Sequence, residues 1–469
     1  MILSPSGHSK MAGPTRPRSG FVLLAVLVVI LMGSMVALSL MFRLRADETA
    51  SMAGSSSEQA WAAAMVGVRE AIRVAQRTAP GELGWQDDPK TFRDRWVSDD
   101  GTDRWYFSVY SPPLEGELQE LRYGLTDEAS KLNVNASHTA DLTQIQNLTP
   151  ALVASIRDFI DPDVSTRPDG AEQEYYDTLP VPYVVRNGPL NSIDELLLVR
   201  GFTPSLLYGE DRNMNLRLDA NENDGVQSAP LDNADGRLSL GLRSVLTVHS
   251  YDNDLDSEGG LKTVINDSFS GFPSVELPAA VTNFITLLRT NRLRVNHAAE
   301  LLQARAQIKD EKGGTVDVDS GIGGDEIAVV LERFTATRTN RMEGLINANT
   351  APSSVLATVP GIDPPLADAI VSGRKAISPE RRTNLAWMFQ EGVMTAEQFR
   401  AIVPHLCARS LQYHFYSVGF SVPSGRFRVL EVTIDLGSPS PSILYLRDIT
   451  RMGPPFRFDS AQQKEAIGG

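Results

Sequence analysis

No charged residue occurs between Phe21 and Phe42, within the run "SGFVLLAVLVVILMGSMVALSL" and the residues just after it. About 20 consecutive apolar residues span the hydrocarbon of a bilayer as a helix, the one single-segment form that satisfies every backbone group there. The chain therefore opens with a membrane-length helix, and the rest must be a body carried on one anchor. Lys10, Arg16 and Arg18 precede the run without any acidic residue, which places the N-terminus on the cytoplasmic side. Arg43 and Arg45 follow it and weaken that asymmetry. A secretory signal would have a shorter apolar region with small residues after it, whereas Gly33 and Ser34 lie inside this one. A plain signal anchor is not excluded by composition.

At 469 residues the chain exceeds a single core, so two or three domains are expected. A net charge of -14 disfavours nucleic acid as the main partner, because phosphate binding needs a basic face. Cys407 is the only cysteine, so an intramolecular disulfide is impossible, which is compatible with an extracytoplasmic body.

Helical text continues from Arg43 to Gln76, with Trp61, Met65, Val68 and Ile72 on one stripe. "TAPGEL" ends it at Pro80. Strand signals lie far apart: "DRWYFSVYS" at 103–111 and "LRYGLTDE" after it, then "YHFYSVGFSV" at 413–422, "RFRVLEVTIDL" and "SILYLRDIT". Leu430, Val432, Ile434 and Leu436 alternate with Glu431, Thr433 and Asp435, which predicts a half-buried strand. The pattern predicts an α+β fold: an N-terminal transmembrane helix packed on a small antiparallel sheet, interrupted by a large, mainly helical insertion.

The insertion contains a weak repeat. "KLNVNASHTADLTQIQNLTPALVASIRDFID" from Lys131 and "LINANTAPSSVLATVPGIDPPLADAIVSGR" from Leu345 share an Asn-x-Asn start and paired short helices. Each is followed by another helical pair, "NSIDELLLVRGFTPSLL" and "TNLAWMFQEGVMTAEQFRAI". Such helices joined by Pro/Gly turns are the signature of helix-hairpin-helix or SAM-like units. Residues 226–340 between them read least clearly, with helix-like text at "AAVTNFITLLRTNRLRVNHAAELLQARAQI".

Few motifs carry chemistry. "VPGIDPPLADAI" at 359–370 is a hairpin whose turn could offer N–H groups to phosphate, but Asp363 stands beside it. Arg374, Lys375, Arg381 and Arg382 do not offset the acidic total, so a packing unit is favoured over DNA binding. "DRNMNLRLDANE" at 211–222 follows an EF-hand loop: Asp211, Asn213 and Asn215, then the Arg217 carbonyl, Asp219 and Glu222 fall at the oxygen-ligand positions. Leu218 supplies the inward apolar residue, and Leu216 stands where glycine is usual. The spacing predicts a structural calcium site. Two acidic clusters, Asp161, Asp163, Glu172 and Glu174, and Asp252, Asn253, Asp254, Asp256 and Glu258, are weaker metal candidates and more often solvated loops. The six histidines form no H-E-x-x-H motif, and no G-x-S-x-G, P-loop or dinucleotide fingerprint occurs. Cys407 near His405 reads as a packing residue, and no enzyme activity is expected.

A glycine, Gly20, separates the basic leader from the apolar run that begins at Phe21. This matches a type IV prepilin-like signal, cut on the cytoplasmic side after the glycine and leaving the helix on the mature protein. Together with "GLTDEASKLNVNA", "NGPLNSIDELLLVRG" and "LINANTAPSSVLATVPGID", the start resembles the type II secretion system protein K family, the large minor pseudopilins. The resemblance covers roughly the first 225 residues and 340 to the end. It implies cleavage after Gly20 and N-methylation of Phe21 by a prepilin peptidase. Pilin-like proteins usually carry glutamate at the fifth mature position, where this chain has Ala25, and the protein K family also lacks it. That glutamate is thought to pair with a neighbour's N-terminal amine in lipid, where an unpaired charge is costly. A subunit without it is free to sit at the fibre tip.

The resemblance implies a subunit that caps and initiates a periplasmic pseudopilus with other minor pseudopilins and the major pseudopilin. It is held in the inner membrane by one helix, with its bulk in the periplasm. The expected organisation is a leader at 1–20, the transmembrane and pilin helix at 21–78 and the first sheet residues at 79–125. The insertion covers 126–408, its two helix-hairpin-helix-like units falling at 126–225 and 340–408. Closing strands at 409–455 and a flexible tail at 456–469 complete it. The alternatives are a type IV pilus minor pilin and, from another class, a membrane-anchored DNA-uptake protein, which would present a basic patch.

Overall fold

The structure is a computed structural model that describes residues 19–115, 121–136, 140–309, 314–454 and 456, apart from the side chains of 19–21 and 51–53. The leader expected at 1–20 thus falls outside the described residues except for its last two, and so does the expected tail beyond 456. Two compact units divide the chain, Met1–Gln59 and Ala60–Gly469.

The first unit holds the N-terminal part of helix α1, Ser19–Arg77. Its apolar side chains from Val22 to Leu44 are exposed. Among the described residues this is the one helix long and apolar enough to cross a membrane, with mean hydropathy 2.8 over its best window and none of that window buried. Aqueous solvent does not tolerate such a surface, and lipid does.

The second unit begins on the same helix. Five antiparallel strands follow the order β1 (Arg95–Asp99), β2 (Arg104–Tyr110), β4 (Gln412–Val422), β5 (Phe427–Asp435) and β6 (Ser442–Asp448), and the short β3 (Thr126–Asp127) also pairs with β4. Chain-distant β2 and β4 are neighbours, so residues 128–411 form an insertion in the sheet. β3 lies just past 125, so the sheet takes two more residues than expected before the insertion starts.

Strand alternation sorts the side chains. Phe107, Val109, Tyr413, Phe415, Leu430, Val432 and Ile434 pack with Ala64, Val68 and Ala71 of α1. The helix lies close because its contact residues are small. Ser417 Oγ donates to the Ala64 carbonyl at 2.7 Å, and a Cβ on Gly419 would stand 2.1 Å from the Ala60 carbonyl oxygen. The buried stripe is therefore Ala60, Ala63, Ala64, Gly67, Val68 and Ala71. Trp61, Met65 and Ile72, read from sequence as its core, are half-buried at the margin.

The opposite face carries Tyr110, Tyr416, Val418, Phe420 and Val429, and the insertion covers part of it through Leu216. β5 is thus buried on both faces rather than half-buried, with Glu431, Thr433 and Asp435 inside. Its polar set is matched by the insertion. Tyr251 donates its hydroxyl to Asp435 at 2.7 Å, and Arg243 ion-pairs with Glu431. Phe456, placed in the tail by sequence, lies against Tyr110 and Phe420.

The insertion is built on one continuous apolar core that includes Ile156, Phe159, Tyr176, Leu196, Phe284, Val330, Trp387 and Phe399. The Asn-x-Asn repeat has a structural counterpart. Leu132–Asn133 pairs in parallel with Leu246–Thr247, and Ile346–Asn347 with Leu406–Cys407. In each copy the first asparagine accepts the N–H of the second, at 3.0 Å in both. The second then bonds distant backbone: Asn135 with Leu190, and Asn349 with Arg382 and Ala408. The helix-like text of the middle stretch is only partly helical. Ala279–Thr290 is a helix that stops where Arg292 takes φ 54°, and Arg305–Lys309 is a strand hairpinned with Thr315–Asp319.

Candidate metal centre

Residues 211–222 leave the helical turn Pro204–Tyr208 and close on the 3₁₀ turn Ala220–Glu222. Asp211 organises the entry: its Oδ1 accepts the Asn215 N–H at 3.0 Å and its Oδ2 the Leu216 N–H at 3.1 Å. Asn213 Oδ1 accepts from Asn215 N–H at 3.1 Å, and Asn215 Oδ1 from Arg217 N–H at 2.7 Å. At the exit the Asp219 N–H donates to Glu222 Oε2 at 3.0 Å. Asp219 Oδ2 ties the halves together, accepting from Asn213 Nδ2 at 2.8 Å and Asn215 Nδ2 at 2.9 Å. The five predicted side chains thus share one bonded loop, and the Arg217 guanidinium stands 4.0 Å from Asp219.

Leu216 resolves the departure from the glycine pattern. It takes φ 57°, the left-handed turn that glycine usually supplies, at a cost of roughly 1–2 kcal/mol for a residue with a Cβ. Its side chain is buried beside Tyr110 and Tyr416, which offsets that strain. Met214 and Leu216, rather than Leu218, are the loop's buried apolar residues, and Leu218 is half-buried.

The carboxylates are unusually enclosed, with Asp211 3% and Glu222 2% exposed. Burial pushes Asp211 up to about 6 against the pull of the Leu216 and Asn215 N–H groups. Burial likewise raises Glu222 to about 7, and the charges of Asp211, Asp219 and Glu210 add to the effect. A hard cation takes oxygen ligands, and this set of carboxylate and amide oxygens, with Asp211 and Glu222 buried, fits one. Asn213 and Asn215 present their NH2 groups to Asp219, so cation binding requires them to turn their oxygens inward.

The other candidates separate cleanly. In the 252–258 cluster, Arg409 bonds both Asp252 oxygens, Lys262 lies 3.5 Å from Asp254, and Arg333 lies 2.9 Å from Asp256 and 3.7 Å from Glu258. Asp252, Asp254, Asp256 and Glu258 are thus each ion-paired, with Asp254 Oδ2 left buried without a hydrogen-bond partner. Asp161, Asp163 and Glu172 converge, while Glu174 is exposed on the neighbouring helical turn. Cys407 is buried, which pushes its thiol well up, and its sulfur faces the Arg409 carbonyl at 3.5 Å. At the 359–370 hairpin, Asp363 caps its own helix through Leu366 N–H at 2.9 Å. Arg374 donates to the Ala348 and Ala351 carbonyls, and Arg381 pairs with Glu391. Gly20 and Phe21 belong to the backbone of α1, their side chains outside the described residues.

Sequence reasoning missed the polar cluster under the sheet. Arg243 bonds Glu431 and Asp194, Arg447 holds Asp194 at 2.6 Å, and His414 Nε2 lies 3.1 Å from Glu431. It borders a cleft of about 800 Å³ shared by Asp211, His249 and Arg374. The one available signal was the acidic half of the alternation in β5.

The chain thus combines an apolar helix long enough to span a bilayer with an antiparallel sheet interrupted by a folded insertion, an α+β fold. Residues 125–208 match the family described as type II secretion system (T2SS), protein K, so the chain carries a region of that family at the start of its insertion. The match takes in most of two of the motifs read from the sequence, "GLTDEASKLNVNA" and "NGPLNSIDELLLVRG". A chain in the crystal structure of the GspK-GspI-GspJ complex from the enterotoxigenic Escherichia coli type 2 secretion system is similar at 12% identity and TM-score 0.34, with 87% of this chain and 99% of that one covered. No curated protein matches the chain.

Proposed function

We propose that the protein is a minor pseudopilin of a type II secretion system, which caps and initiates the periplasmic pseudopilus. The observation that carries the reading is the insertion: the protein K match opens it, and it interrupts a sheet on which the last part of α1 is packed. The exposed apolar half of α1 supports a single-pass inner-membrane anchor, with the body in the periplasm. Prepilin peptidase cuts after Gly20 and Phe21 is methylated. Ala25 leaves no charge in the bilayer that demands a subunit above it. The role is structural rather than catalytic, and the two halves of the insertion act as SAM-like packing units. The loop 211–222 holds a structural calcium ion through Asp211, Asn213, Asn215, Asp219 and Glu222, with the Arg217 carbonyl as a further donor.

The partners are other minor pseudopilins and, below them, the major pseudopilin. Affinity-tagged full-length chain, expressed with the minor pseudopilins of its own secretion system and extracted in mild detergent, is expected to retain them as a stoichiometric complex. Recovery of the chain alone, with the partners present in the extract, contradicts the reading.

A further inference from the structure

Residues of the sheet and of both halves of the insertion line the cleft of about 800 Å³, a size within the roughly 300–1,000 Å³ of ligand pockets. Its charged groups fall into two sets. Each acid has a partner: Glu128 pairs with Lys131 at 2.7 Å and Glu431 with Arg243, Asp211 accepts the Asn215 and Leu216 N–H groups, and Glu115 accepts the Ser354 hydroxyl at 3.3 Å. The cations Arg374, Lys375 and Arg382 line the same cleft and have no ion pair among the described residues.

Their position has a local cause. Arg374 and Lys375 lie in the last turn of the helix Pro364–Ala376, where the dipole favours positive charge, and Arg382 follows in the 3₁₀ turn Pro379–Thr383. That cause does not explain why they stay unpaired in a chain with 58 acidic and 44 basic residues. Arg374 is half-buried and spends Nη1 on the Ala348 and Ala351 carbonyls at 2.9 and 2.6 Å, which leaves Nε and Nη2 without a bond. Burial pulls its guanidinium down to about 10 against the opposing charge of Glu115. Arg382 is half-buried too. Its Nε is enclosed without an acceptor, and its guanidinium makes neither a hydrogen bond nor an ion pair. A cation drawn out of water without an anion is costly, and a bound anion relieves that cost.

The chemistry of the anion follows. Planar guanidinium forks match a carboxylate. The end of the helix carries partial negative charge, which opposes a compact dianion such as phosphate more than a single carboxylate. Pro112, Pro113, Leu114 and Val371 add apolar surface to the cleft. An extended peptide turns successive side chains to opposite sides, so one strand can offer acids to the cations and apolar groups to the prolines. We propose that this cleft binds an acidic, partly apolar peptide segment of a partner protein, whose carboxylates pair with Arg374, Lys375 and Arg382. The proposal does not rest on the secretion reading.

The test is fluorescence anisotropy of a short labelled peptide of alternating glutamate and valine, titrated with the detergent-solubilised full chain. The same peptide with glutamine for glutamate is expected to bind at least about tenfold more weakly. Added salt should weaken the glutamate peptide and leave the glutamine peptide unchanged. Arg382→Met should lower affinity by roughly tenfold, the loss of a charge-assisted bond, and should melt with the parent because its guanidinium bonds nothing in the fold. Lys375→Gln, at an exposed position, should lower affinity by less. Arg426→Gln, outside the cleft, should bind as the parent does. A glutamate peptide that does not bind, equal binding of the glutamine peptide, or parent-like affinity in Arg382→Met overturns the proposal. If Arg382→Met melts below the parent, Lys375→Gln decides, and parent-like affinity there overturns it. Displacement of the peptide by inorganic phosphate at equal concentration overturns the choice of ligand.

Discussion

Glu431→Ala is expected to lower the stability of the Ala60–Gly469 unit by about 3–5 kcal/mol, measured by denaturant unfolding, because it strands the Arg243 guanidinium in the interior. Glu431 is 2% exposed and receives Arg243 and His414 on one carboxylate oxygen. Burial alone would push its carboxyl up, but Arg243 and His414 overcome this and hold it at about 2. The pH dependence follows with a definite sign. A carboxylate whose folded pKa is depressed contributes its stability above its unfolded value of about 4.5 and loses it as pH falls. Between about 4.5 and 2 the shift is worth on the order of 3 kcal/mol. The gap between parent and Glu431→Gln should therefore be widest above pH 4.5 and should close towards pH 2. A gap that is flat across that window would mean the Arg243 contact is not what depresses Glu431. The contact joins the insertion to the sheet, so its loss should loosen the part of the chain that distinguishes this fold.

Gly419→Leu is also expected to destabilise the Ala60–Gly469 unit. The added Cβ alone would meet the Ala60 carbonyl oxygen at 2.1 Å and the Ala64 nitrogen at 2.4 Å, and helix backbone cannot swing aside as a side chain can. Overpacking typically costs about 1–3 kcal/mol and occasionally more, and collision with two backbone atoms belongs at the upper end. Loss of α1 from the sheet uncovers Phe107, Val109, Phe415 and Val432, so dye binding to exposed apolar surface should rise in the variant. Gly419→Ala should give the same change in smaller measure. A Gly419→Leu protein that melts with the parent would show that α1 does not rest on β4.

What sequence could show follows from where each signal originates. The apolar run to Phe42, a candidate membrane span, and the alternating text at 413–422 and 427–436 are local patterns, so the helix and the strands were legible. β1 was not, because Arg95–Asp99 is a short, mostly exposed edge strand with a register shift, defined by pairing with β2 rather than by pattern. Half-burial of β5 was the wrong inference because Arg243 and Tyr251, which cover its polar face, lie far away in the chain. The same reason separates the acidic clusters. Asp252 and Asp256 look in sequence like Asp161 and Asp163, and only the fold shows that Arg409 and Arg333 reach the first pair. The hydrogen-bonded closure of the 211–222 loop follows its local Asp/Asn spacing, while the turn made by Leu216 needed the sheet beneath it.

The central claim, that this is a pilin-class subunit held by α1, is tested most directly by the mass of the mature N-terminus. The chain would be expressed with and without a prepilin peptidase. The account predicts a chain beginning at methylated Phe21 only when the peptidase is present. A chain that still begins at Met1 in both would contradict it and leave an ordinary signal-anchored protein.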